Sequence, residues 1–242
     1  MAATAKVERR ALWPRHFDSH PAGCPPCRAV LRTVYLALLD CCRVRYGPGE
    51  ASSKLDAKHF ELEEIESIAK TNNLRVGLML DMRDHGNLIC LRDIVKSGRI
   101  GEVQTVAFSA QHPLLWGIRP SWYFEPGMHG GTLNDIAIHA LDFLPWVTGL
   151  TIEKVEAART WNAKATGAPH FNDCGQFLLR LSNGGGVFGD VSYLAPDKCG
   201  YAIPNYWRIT VHGTKGFAET SYGASGVSLA DDDSAEPERV AP

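Results

Sequence analysis

No apolar stretch of this 242-residue chain is long enough to cross a bilayer. The most apolar early segment, AVLRTVYLALLDCC, is short and is broken by Arg32 and Asp40. The N-terminus lacks the basic, apolar and small-residue succession of a secretory signal, so a cytoplasmic protein is expected. An excess of one charge is missing as well. A formal net charge of -2 gives no electrostatic reason for nucleic acid or a membrane surface as partner. The seven cysteines are an odd number scattered over a mid-sized chain, which fits free thiols better than a disulfide framework. No internal repeat is visible. What remains is an ordinary globular composition, 45% hydrophobic and 21% charged, in a chain long enough to bury a substantial core.

Residues 1–53 differ from the rest. RHFDSHPAGCPPCRAV is rich in Pro, Cys and His, and RYGPGEASS has linker composition. From residue 54 the signals become regular. DAKHFELEEIESIAKTNN reads as a helix with Asp56 at its N-cap, LRVGLML as a short apolar strand, and NLICLRDIVKSG as a second helix ended by Gly98. EVQTVAFSAQ alternates like a strand, and a loop rich in Trp, Pro and Gly covers 112–130. An apolar helix follows, with Gly149 just past its end. Strand follows strand after that: IEKVEAARTW, CGQFLLRLS, GVFGDVSYLA, YWRITVHG, GFAETSY and GVSLA, separated by turns such as SNGGG and GTKG. This order predicts an α+β domain built on a largely antiparallel sheet. The tail, ADDDSAEPERVAP, reads as disordered.

Three motifs bear on chemistry. GGGVFG, from Gly184 to Gly189, fits G-x-G-x-x-G by letter. A dinucleotide fingerprint needs a strand before it and a helix after it, whereas here a strand follows and SNGG reads as a hairpin turn. In HFDSHPAGCPPC, the types of His16, His20, Cys24 and Cys27 suit zinc, but the spacing matches no common finger, so no metal is expected. The third is HGGTLNDIAIHALDFLPW, where Gly130 and Gly131 precede a helix carrying Asp135 and His139. Four residues apart on a helix, these two share a face, and a carboxylate beside an imidazole suits proton transfer near neutral pH. The plainer reading is an acid favoured by the helix dipole and a half-buried histidine, and spacing alone favours it.

GGTLNDIAIHALDFLPWVTG also resembles the G-G-x-x-x-D-x-G-x-H-x-x-D segment of the Gfo/Idh/MocA oxidoreductases. The resemblance continues through NNLRVGLML, LRDIVKSGRIGEVQTV, RPSWYFEPG and ITVHGTKGFAE, and covers roughly residues 56–220. It implies a C-terminal domain with an open, mainly antiparallel sheet and helices on one face, preceded by the last part of a Rossmann domain. The expected divisions are 54–98 for that remnant, 99–230 for the substrate and oligomerisation domain, and 231–242 for a disordered tail. The implied activity is NAD- or NADP-dependent oxidation or reduction of a sugar, cyclitol or related polyol. His139 would handle the hydroxyl proton, and Asp135 would bind a substrate hydroxyl and hold the histidine. Arg119, Trp122 and Tyr123 would face the substrate. A homo-oligomer formed through the sheet is implied too.

The sequence departs from the family pattern in three places. The first strand with its glycine-rich phosphate turn is missing from residues 1–53. GEASSKLDAK stands where the family has Glu-Lys-Pro, so Lys54 or Lys58 would be a displaced lysine. The chain also stops soon after GTKGFAE. These departures predict a truncated member. They leave a non-catalytic interaction module as the alternative, and a zinc-binding N-terminal segment as a second one.

Overall fold

The computed structural model describes residues 67, 68, 70–73 and 80–242. Eight strands form one sheet in the order β2-β3-β4-β1-β5-β6-β7-β8. They are β1 (Val103–Pro113), β2 (Ile152–Trp161), β3 (Cys174–Leu181), β4 (Gly186–Ala195), β5 (Arg208–Gly213), β6 (Gly216–Thr220), β7 (Val227–Asp231) and β8 (Glu238–Val240). Every neighbouring pair is antiparallel except β1 and β4, which run parallel. Two helices, α1 (Gly86–Lys96) and α2 (Ile138–Thr148), cover one face. The architecture is the expected α+β open sheet.

Each element follows from its local pattern. In α1, Leu88, Leu91 and Ile94 recur at three-residue spacing and are buried. Gly98 then takes a left-handed φ of 75° and stops the helix. Asn87 fixes the entrance of α1 by donating to the carbonyls of Ser221 (3.1 Å) and Ala224 (2.8 Å). Helix α2 is apolar around most of its surface, burying Ala140, Leu141, Phe143, Leu144 and Val147, and Gly149 closes it at φ 73°. Its buried acid, Asp142, is met by Arg83. Nε reaches Oδ2 at 2.7 Å and Nη2 reaches Oδ1 at 2.5 Å, a two-pronged pair that joins the turn Asp81–Asp84 to α2.

Strands β1 and β4 show how the core meets the site. Along β1 the core-facing row is Val106, Phe108, Ala110 and then His112; along β4 it is Val187, Gly189, Val191 and then Tyr193. The strands are parallel, so both rows become polar at the same end of the sheet. Gly189 lies opposite Phe177, and a Cβ there would come within 2.3 Å of that ring. The opposite face of the sheet is open. Leu178 and Phe188 are paired across β3 and β4 and exposed there, and Ala107 lies beside Phe188 on β1.

One expectation is corrected. Residues 231–242 do not form a disordered tail. Glu238–Val240 pairs with β7 as the edge strand β8, and Pro242 packs over Gly86. The sheet is largely antiparallel, as expected, with the one parallel pair, β1 and β4, at its centre. GGGVFG is, as expected, a turn leading into β4, with Gly184 at φ 86°. Cys90, Cys174 and Cys199 are free thiols. No helix among the described residues is long and apolar enough to cross a membrane. His16, His20, Cys24, Cys27, Lys54, Lys58, Asp56 and all but Leu80 of the strand expected over 74–80 lie outside the described residues.

Candidate functional site

The segment ahead of α2 is not regular α-helix. Leu133–Ala137 forms a π turn, which is wider than an α turn and shifts the angular phase of the residues it contains. Asp135 and His139, expected to share a face and a contact, make no hydrogen bond with one another.

Asp135 is instead the centre of another cluster. The Tyr123 hydroxyl donates to its Oδ2 at 2.8 Å, the Tyr193 hydroxyl donates to the same oxygen, and the two hydroxyls lie 2.7 Å apart. His129 Nε2 is 3.6 Å from Oδ2. His129 Nδ1 accepts the Gly131 N–H at 3.1 Å, which leaves Nε2 as the proton-bearing nitrogen directed at the carboxylate. Burial pushes the Asp135 carboxyl up, but the bonds from His129, Tyr193 and Tyr123 outweigh it and hold it well below the usual carboxylate range. Burial and the charge of Asp135 push both phenols up, so they remain hydroxyl donors. All these donors meet Oδ2. Among the described residues none meets Oδ1, and the Asp135 side chain is 42% exposed.

Of the other expected residues, Tyr123 belongs to this cluster and is buried. Arg119 stacks its guanidinium 4.5 Å from the Tyr123 ring and 5.3 Å from the Tyr193 ring. It also donates to the carbonyls of Leu114 (3.0 Å) and Pro113 (3.1 Å), fixing the loop that leaves β1. Trp122 is largely exposed, with its ring 5.4 Å from Tyr123. His139 packs edge-on against Trp207 at 5.6 Å, and its Nδ1 is buried without a hydrogen-bond partner among the described residues.

Three members of the cluster escaped the sequence reading: His129, Tyr193 and His112. The signal for the last two was their parity. Each continues the core-facing alternation of an apolar strand with a residue that is not aliphatic. His112 is ringed edge-to-face by Tyr193, Tyr201, Tyr206 and Trp207 at 5.4–6.1 Å, and its Nε2 is buried without a partner among the described residues. Burial pulls its imidazole down to about 4, with the charge of Asp135 only partly opposing.

Residues 89–219, more than half of the chain, match the model of the GFO/IDH/MocA C-terminal domain. The chain belongs to the GFO/IDH/MocA family. Solved structures of similar fold include a protein from Thermotoga maritima named as an oxidoreductase, 24% identical, with a TM-score of 0.62 over 74% of this chain and 53% of that one. An oxidoreductase from Agrobacterium radiobacter, solved with NAD+, L-tartaric acid and magnesium, is 20% identical, with a TM-score of 0.57 over 74% and 50%. Levoglucosan dehydrogenase, solved with NADH and levoglucosan, is 19% identical, with a TM-score of 0.55 over 70% and 48%. This GFO/IDH/MocA chain therefore spans about half the length of the structures it matches. No curated protein matches it.

The described residues do not fit a whole dinucleotide. No glycine turn among them leads from a strand into the N-terminus of a helix, which is the arrangement that seats a pyrophosphate. What they provide is a wall of hydroxyl, imidazole and carboxylate groups at the C-terminal ends of two parallel strands.

Proposed function

We propose that the chain supplies the substrate-handling half of an NAD- or NADP-dependent oxidoreductase acting on a CH–OH group of a sugar, cyclitol or related polyol in the cytoplasm. The observation that carries this reading is His139. Its Nδ1 is buried without a hydrogen-bond partner among the described residues, and in this reading it exchanges a proton with a substrate hydroxyl. Asp135 assists through Oδ1, which accepts from a hydroxyl while Oδ2 stays held by Tyr123, Tyr193 and His129. Trp122 offers an apolar ring face, and Arg119 braces the tyrosines from outside. Residues 54–98 are read as the end of the nucleotide-binding half and 99–230 as the substrate domain. The nucleotide must be seated by residues other than those described, with Lys54 or Lys58 as the lysine of that half.

Titration with NADH and NADPH, read by protein-to-nicotinamide fluorescence transfer, tests the cofactor half of the reading. A levoglucosan-dependent turnover lost in His139→Ala tests the other half. Saturable nucleotide binding with no effect of His139→Ala on turnover would sink the assignment of His139.

A second reading is favoured by the open sheet face. Ala107, Phe188 and Leu178 make an exposed apolar row across β1, β4 and β3, the kind of surface that pairs copies of a chain. The chain would then form a homo-oligomer through the sheet, with or without turnover.

A further inference from the structure

Gly167 sits in an exposed turn, and its φ lies outside the left-handed region that favours glycine. What calls for glycine there is a neighbour. A Cβ at position 167 would come within 2.6 Å of Cζ2 and 2.9 Å of Cη2 of Trp116. Trp116 belongs to the loop between β1 and α2, and this contact pins the loop to residues 162–173. The Trp116 ring packs on Phe124 at 4.4 Å, Phe124 packs on Phe171 at 5.2 Å, and His170 Nε2 donates to the Phe124 carbonyl at 2.8 Å. Phe124 follows Tyr123 in the turn Ser121–Phe124, so holding one holds the other.

Residues 162–173 form a firm shelf for this purpose. Asn162 Nδ2 is shared among the carbonyls of Ala165 (2.9 Å), Ala168 (3.1 Å) and Phe171 (2.7 Å), and Asp173 accepts the backbone N–H groups of Ala163, Lys164 and Ala165. A polar network satisfied in this way is rigid. The shelf also reaches the second partner of the cluster. The buried Thr132 hydroxyl, three residues ahead of Asp135, donates to the Asn172 carbonyl. One short span thus grips both the turn that carries Tyr123 and the turn that carries Asp135. The bond between those two, 2.8 Å from hydroxyl to Oδ2, tolerates a drift of only a few tenths of an ångström.

We propose that residues 162–173 are the positioning element of the site, and that Gly167, by seating Trp116, is the positioning residue that keeps the Tyr123 hydroxyl on Asp135. The inference rests on the reading of Asp135 as the acceptor of a substrate hydroxyl. It adds a control of that carboxylate from a loop that lies outside the cluster of donors.

The charged and titratable groups about Asp135 are Tyr123, Tyr193 and His129 beside Oδ2, His112 within range of its charge, and Arg119 against the two phenol rings. Gly167→Ala and Trp116→Ala alter none of them. The test follows the Asp135 carboxyl through a pH titration of the full chain labelled with 13C at aspartate, with the signal assigned by Asp135→Asn. Tyr123→Phe sets the scale, since loss of its donor should raise the Asp135 midpoint towards the ordinary 3.8. Gly167→Ala and Trp116→Ala should each reproduce a large part of that rise. Adding Gly167→Ala to Tyr123→Phe should raise the midpoint no further, because the shelf acts through Tyr123. Thermal melts at pH 7 accompany each titration. A lower melting temperature with an unmoved Asp135 midpoint would make Gly167 a packing residue and overturn the proposal. A further rise in the double variant would overturn it as well, and so would a Tyr123→Phe variant whose midpoint stays with the wild type. If Gly167→Ala does not fold, the Trp116→Ala titration decides on the same terms. The titration needs no substrate, so its failure leaves the turnover assay of His139→Ala untouched, and failure of that assay leaves the titration readable.

Discussion

Tyr193, on the core-facing row of β4, donates its hydroxyl to Asp135 in the π turn ahead of α2, tying the sheet to the helix layer across 58 residues of sequence. The bond also sets the ionisation of the cluster, because Tyr193, Tyr123 and His129 favour the charged carboxylate against its burial.

A depressed carboxyl in the folded state stabilises the fold above its ordinary value of 3.8, and that contribution is lost as pH falls through the lower folded value. Asp135→Asn should therefore melt below the wild type at pH 7, and the gap should close as pH is taken below 4. Thermal melts of both proteins from pH 7 to pH 2.5 would show it. A gap constant with pH would mean that Asp135 contributes through packing alone.

Asp173 is fully buried and receives three backbone N–H groups: Ala163 on Oδ1 at 2.8 Å, and Lys164 and Ala165 on Oδ2 at 2.7 and 2.6 Å. Asp173→Ala strands all three donors and should cost about 2–4 kcal/mol in urea unfolding. Asp173→Asn, which keeps one acceptor, should cost less.

Arg83→Ala leaves the Asp142 carboxylate buried without its two-pronged partner. The loss should be about 2–3 kcal/mol, moderated because Arg83 itself is part-exposed. Adding Asp142→Leu should recover part of that loss, since it removes the stranded charge. A double-mutant cycle by chemical denaturation measures the coupling. Additive single effects would show that the pair is not energetically linked.

Gly189→Ala places a methyl against the Phe177 ring. Overpacking of this kind costs about 1–3 kcal/mol, and the Phe177 ring already has Phe108 at 5.4 Å on its flank. The midpoint of thermal unfolding should fall, and Gly189→Ala combined with Phe177→Leu should regain part of it.

On the open face, Phe188→Glu introduces charge into the row shared with Leu178 and Ala107. If copies pair through this face, light scattering should show a dimer or larger for the wild type and a monomer for the variant. Equal masses would place any assembly elsewhere.

Much of this architecture was readable in the sequence, for reasons that differ by element. β2 and β4 were bounded to the residue because turn residues flank both. β8 was missed because an edge strand with Glu238 and Arg239 carries charges that keep edges from pairing, and those charges look like a solvated tail. The parallel partnership of β1 and β4 left no local trace, since it joins segments far apart in sequence. The site was half legible. Asp135 and His139 were singled out, but the π turn broke the spacing argument that paired them. The imidazole directed at Asp135 is that of His129, which lies in the loop before the helix, where periodicity says nothing.

The position of β1 bears on how the chain folds. The segments β2-β3-β4 and β5-β6-β7-β8 are successions of neighbours in sequence, each able to zip from its own turns. β1 comes first among the described strands and is expected to close last, because both of its neighbours lie more than a helix and several turns downstream. Ordering the central strand must bear the entropy of two long loop closures before any ladder bond is gained. Refolding should thus pass through a stage in which the two meanders exist and the strand bearing His112 has not yet joined them. The wall of the site is then assembled in the same event that completes the sheet.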